Sequence, residues 1–222
     1  MEIHTSYGAS RAFALAPKSV ATFYHELLAA LRATGIEVEI NPRPQEVPDP
    51  IPFDQDETHR SYDPEDANRF WRILLSAHLV FEDFRARFIG KSSPVHFFWG
   101  SFDLAYTRFS GRVALPRKGV ITSEAYSHEC SSVGWWPGGG RVKGAAFYAY
   151  TAPSPPGLGE QPVRPEDASF DKQLGEFLLM YDDVRRAKSP RDEILAFAES
   201  AYEAGANLAR WDRAALERSP GL

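Results

Sequence analysis

The sequence predicts an α+β fold: an antiparallel sheet of aromatic-rich strands covered by about three helices, with two proline-rich straps on the surface. Three observations carry this. Residues 95–150 hold 12 aromatic residues in 56 positions, against 17 in the other 166, and aromatics suit pleated, half-buried surfaces. Three other stretches repeat apolar residues at helical spacing between recognisable caps. Residues 41–54 and 152–165 each contain five prolines, which excludes helix there and removes the donors a sheet needs.

Taken in order, residues 2–5 and 11–15 read as a hairpin turning at Tyr7 and Gly8. Ser19 is a suitable N-cap for a helix carrying Val20, Phe23, Tyr24, Leu27, Leu28 and Leu31, which Gly35 closes. Residues 36–40 alternate Ile36, Val38 and Ile40 with Glu37 and Glu39, the pattern of a strand with one wet face. The first strap follows, with Pro42, Pro44, Pro48, Pro50 and Pro52; Ile51 and Phe53 give it apolar contacts, unlike a loose tether. Asp63 then caps a long helix with Pro64 at its first position. Its stripe is Phe70, Leu74, Ala77, His78, Phe81, Phe84 and Phe88, and His78 is expected to pack inside. Three or four antiparallel strands are expected between residues 94 and 151, and Gly138–Gly140 is read as a turn. After the second strap, residues 175–181 are too short and apolar to separate helix from strand. A last helix starts at Ser189 and Pro190 and buries Ile194, Phe197, Ala198, Ala201, Tyr202 and Leu208.

The composition bounds the function. The 222 residues carry 25 Lys and Arg against 30 Asp and Glu, a net charge of −5. One domain spanning residues 1–222 is expected at this size. Mild acidity argues against nucleic acid as partner, and no run of 18 apolar residues exists to span a membrane. Cys130 is the only cysteine, so no intrachain disulfide forms, and a cytoplasmic location is expected. Phosphate loops, dinucleotide glycine signatures, nucleophile elbows and paired cysteines are all missing, so the sequence names neither a reaction nor a cofactor.

Chemistry-bearing residues nevertheless gather among the aromatics. His96 and Phe98 share one strand face. Tyr106 and Arg108 share another, with Asp103 opposite them, and Tyr126, His128 and Cys130 share a third with Glu129 opposite. If neighbouring strands align, His96, Arg108, Tyr126 and His128 converge on a cleft walled by Trp99, Trp135 and Tyr148. His96 and His128 are then the proton-handling candidates. Arg108 and Arg112 are anion anchors, with Asp103 and Glu129 as further polar contacts. The plainer alternative pairs these arginines with Asp103 or Glu129. His128 and Glu129 point to opposite faces, so no metal site is expected. His59 lies in the acidic run of Asp54, Asp56 and Glu57 and is read as a solvated loop residue.

The segments PDPIPFDQDETHRSYDPED (48–66), RARFIGKSSPVHFFWGSFDLAYTRFSGR (85–112), EAYSHECSSVGWWPGGG (124–140) and AFYAYTAPSPPG (146–157) resemble an uncharacterised bacterial family, catalogued as a domain of unknown function. The likeness spans essentially the whole chain. It implies a bacterial cytosolic protein and brings no catalytic residues with it. It also implies further residues before Met1, without which the first hairpin would leave an unpaired edge. Two readings follow: a small-molecule binder or unassigned enzyme using the aromatic cleft, or a non-enzymatic interaction or structural protein.

Overall fold

A computed structural model describes residues 1–45, 47 and 49–218, apart from the side chain of Ile121; Pro48 of the first strap lies outside the described residues. The chain forms two compact units, Met1–Ile73 and Leu74–Leu222.

In the first unit, β1 (Glu2–His4) pairs antiparallel with β2 (Ser10–Ala12), Ile3 opposite Arg11. The hairpin is as expected, but its second strand stops short of residue 15. Phe13 N–H donates to the Met1 carbonyl just past the last paired residues. The Phe13 ring then packs edge-on against Phe23, 5.6 Å between centroids. Helix α1 (Val20–Arg32) begins at Ser19, whose Oγ accepts the Thr22 N–H, and ends before Gly35 at φ +83°. The predicted strand at 36–40 does not form, and Val38 and Ile40 stand 43% and 47% exposed. Alternation marks a face, but a strand also needs a neighbour to bond, and among the described residues, 36–40 pair with no strand. The strap behaves as read: Phe53 N–H donates to the Pro42 carbonyl, and the Phe53 ring lies 6.4 Å from Tyr24.

Helix α2 (Pro64–Ala86) starts where the cap predicted, with Asp63 Oδ1 accepting the Glu65 and Asp66 N–H groups. Ala77, Val80, Phe81 and Phe84 are its buried residues. His78 departs from expectation: it turns about 100° away from Ala77, remains 39% exposed and lies 4.0 Å from Glu82.

The second unit is built on a sheet of β3 (His96–Phe98), β4 (Asp103–Val113), β5 (His128–Trp136), β6 (Ala146–Ala152), β7 (Ser169–Asp171) and β8 (Glu176–Met180). The order is β3-β4-β5-β6-β8-β7 with every neighbour antiparallel. The ambiguous segment at 175–181 is therefore strand, turning at once into the short helix α4 (Tyr181–Val184). Like α4, the elements α3 (Val120–Ala125), β7, α6 (Arg213–Leu216) and a 3-10 turn at Leu158–Glu160 in the second strap have no counterpart in the sequence reading. Helix α5 (Pro190–Leu208) begins after Ser189, whose Oγ donates to Asp192 Oδ2 and accepts no capping backbone N–H.

One sheet face packs against α5 and the second half of α2. Phe81 meets Phe147, Phe84 meets Tyr106 and Tyr202, and Phe197 is fully buried. Leu104, Tyr106, Val133, Trp135, Phe147, Phe177 and Leu179 complete this core, each 4% exposed or less. Gly205 lets α5 approach β6, since a Cβ there would collide with Thr151.

Candidate functional site

Strand alternation commits the opposite face to different residues. Side chains directly across an antiparallel pair share a face. The register His96–Ala105–Gly134–Tyr148–Leu178 therefore defines one row of this far face, with Thr107–Ser132–Tyr150 beside it. Glu176 and Asp171, opposite one another, extend the second row. Asp103, opposite Phe98 in the row on the other side of Ala105 from Thr107, is only 5% exposed.

Glycine makes the central contact possible. Tyr148 on β6 lies flat over Gly134 of β5, where any Cβ would intrude on its ring, and so reaches across a whole strand. Its hydroxyl donates to Asp103 Oδ2 on β4, while Ser101 Oγ donates to Oδ1 at 2.5 Å. Tyr150 stacks beside Tyr148, centroids 6.1 Å apart and planes 8° from parallel, and accepts a 3.3 Å hydrogen bond from the Tyr126 hydroxyl. The Arg117 guanidinium sits over the Tyr126 ring at 4.0 Å. Thr107 and Ser132 hydroxyls bond at 2.9 Å in the next row.

The electrostatics follow from burial. Desolvation, then the Asp103 charge, raises the Tyr148 hydroxyl well above its ordinary range, so it stays a donor. Tyr150 is raised likewise, by burial first and Tyr126 second. Burial pushes the Glu176 carboxyl up to about 7, with Asp103 and Asp171 adding to it. A carboxyl poised there can give or take a proton near neutrality. Cys130, 1% exposed, has its thiol pushed up to about 11 by burial and is unsuited to nucleophilic work.

The predicted residues divide between the faces. Asp103, Tyr148 and Tyr126 come together. His96 shares their face but is exposed on the edge strand β3, its ring 4.1 Å from Phe98. His128 pairs opposite Val113 beyond a bulge, about 20 Å along β5 from the His96 row at the rise of a strand. Tyr126 belongs to the end of α3 and not to a strand. Trp135 is buried on the helix side, 6.0 Å from Tyr181, and Trp99 stands 80% exposed in the β3–β4 turn, so neither walls a cleft with Tyr148.

The expected convergence of both histidines with Arg108 is not observed. Arg108 faces the helices, 1% exposed. Its guanidinium stacks 3.4 Å from the Phe84 centroid and 4.3 Å from that of Tyr202, and donates to the Phe84 carbonyl. Burial lowers its pKa, and Glu199 opposes that shift. Arg112 pairs with Glu129 at 2.6 Å and donates to the Ala209 carbonyl at the end of α5. His59 is ordered by a turn: Asp56 accepts the Thr58 and His59 N–H groups, and His59 Nδ1 lies 2.7 Å from Asp56 Oδ2. Among the described residues, no three His, Cys, Asp or Glu side chains gather closely enough to hold a metal.

Sequence reasoning missed Glu176, Tyr150 and Gly134. The isolated glycine inside SSVGWW was the available signal, since a lone glycine in a strand marks close approach.

The family of unknown function DUF5996 matches residues 1–218. The chain belongs to this family. Searches of curated proteins and of solved structures found no match. Membership of DUF5996 agrees with the resemblance read from the HFFWGSFDLAYTRFSGR and PDPIPFDQDETHRSYDPED segments. Among the described residues no helix is long and apolar enough to cross a membrane.

Proposed function

We propose that the far face of the sheet binds a small polar molecule, amine or polyol, through Asp103, Tyr148 and Glu176, with Tyr150 and Tyr126 as flanking contacts. The observation that carries this reading is the Tyr148–Asp103 contact over Gly134. It keeps a carboxylate almost fully buried with two hydroxyl donors and a second carboxyl on the same face. Burying charge this way costs stability, and the helix-side core supplies the fold without it. A perturbed carboxyl such as Glu176 on a face with stacked rings is the usual material of a binding site. An anionic ligand fits less well, because Arg108 and Arg112 are both committed elsewhere. Glu176 suits this face to proton exchange with whatever it holds.

Thermal unfolding with graded amines, polyols and carboxylates tests this. An amine or polyol is expected to raise the melting temperature of the wild type but not of Asp103→Asn or Tyr148→Phe. Stabilisation by carboxylates alone, or by nothing in the panel, would overturn it.

A second reading, protein–protein contact, rests on Phe98, Trp99 and Phe102, which are 38%, 80% and 46% exposed around one turn beside the edge strand β3. It predicts a concentration-dependent mass in light scattering that Trp99→Ser abolishes.

A further inference from the structure

The first unit holds two adjoining cavities of about 520 and 510 Å³ that share Lys18, Arg60, Ser61 and Tyr62. Together they form a trough between the chain entering α1 and the segment that follows the strap. Its walls are fixed. Val20 and Ala21 N–H groups donate to the His59 and Asp56 carbonyls, and the Asp56 carboxylate closes the turn at Thr58 and His59.

The trough is chemically graded. One end is apolar, with Leu15, Val20 and Phe23. The middle carries Lys18 and Arg60 beside two hydroxyls. Asp63 and Asp66 line the other end but are occupied, Asp63 capping α2 and Asp66 pairing with Arg69 at 3.0 Å. Lys18 is held by Glu26. Arg60 is different: its Nη2 donates to the Glu57 main-chain carbonyl at 2.8 Å, and its nearest carboxylate, that of Glu57, lies 3.7 Å away with both side chains about two-thirds exposed, an ion pair of little strength. A neutral carbonyl leaves the guanidinium charge uncompensated, and Arg60 lines both cavities next to the apolar bay.

We propose that this trough binds an amphipathic carboxylate, its head on Arg60 with Ser61 and Tyr62 and its tail against Leu15, Val20 and Phe23. Guanidinium geometry matches a carboxylate in bidentate fashion, and each cavity has the size of small-molecule sites. The occupant differs in charge from the one proposed for the sheet face, and the two sites stand or fall separately.

Titration with octanoate, followed by amide chemical shifts of the full chain, is the test. Octanoate is expected to saturate one site and to shift residues 15–23 and 58–63, while octylamine and acetate do not. Arg60→Gln should weaken binding roughly tenfold, the worth of one charge-assisted contact, and Leu15→Ser should weaken it through the tail. Both positions are exposed, so both variants should fold. Equal binding of octylamine, an unchanged affinity in Arg60→Gln, or shifts confined elsewhere would overturn the proposal.

Discussion

Burial, with Asp103 and Asp171 adding, holds the Glu176 proton to about 7, whereas the unfolded chain releases it near 4.5. Between those values the folded state binds more protons than the unfolded one. Each step up in pH across that window therefore costs stability, and the full loss is in place above 7. Glu176→Gln should flatten this slope and stabilise the protein at pH 8 by about 1–2 kcal/mol, solvent screening taking up the remainder. Urea melts from pH 4 to 8 measure it, and parallel profiles for variant and wild type would refute the assignment. Gly134→Ala should cost about 1–3 kcal/mol, because the added methyl displaces the Tyr148 ring. Tyrosine absorbance should report the lost Asp103 contact, which an unchanged spectrum would disprove. At this scale the sequence was partly legible. It placed Tyr106 and Arg108 together and Asp103 opposite, as observed, because alternation follows from backbone geometry alone. Alternation does not say which face meets the helices, and Arg108, an anion anchor by sequence pattern, is a core residue stacked on Phe84.

Capping chemistry carried furthest among the elements. Ser19, Asp63 and Pro190 mark the starts of α1, α2 and α5 because the groups that end a helix are local to it. Residues 36–40 failed for the opposite reason: their alternation was clean, but a ladder depends on a partner elsewhere in the chain. The short β7 and α6 were missed because three or four residues hold no periodicity. The α5–β6 contact gives a sharp test. Gly205→Ala should gain about 1 kcal/mol of helix propensity yet destabilise the protein overall by about 1–3 kcal/mol through collision with Thr151. Combining it with Thr151→Ala should restore much of the loss. Additive destabilisation in that double-mutant cycle would show that the two residues do not meet.

Across the whole chain, stability should follow sheet position. The central strands β4, β5 and β6 are paired on both sides and backed by the aromatic core, whereas β3 and β7 are edges and β1–β2 form a two-stranded sheet. Amide exchange should be slowest in β5 and faster in β3, β7 and the β1–β2 hairpin; a hairpin as protected as β5 would contradict this. The sequence alone determined the α+β class, the starts of the three long helices, the proline straps and kinship with DUF5996, because caps, prolines, periodicity and motif strings are all written locally. Tertiary structure alone decided that Tyr148 reaches Asp103, with Glu176 on the same sheet face, while His96, Arg108 and His128 do not converge. Strand order and register bring together residues far apart in the chain, and neither is encoded in any single segment.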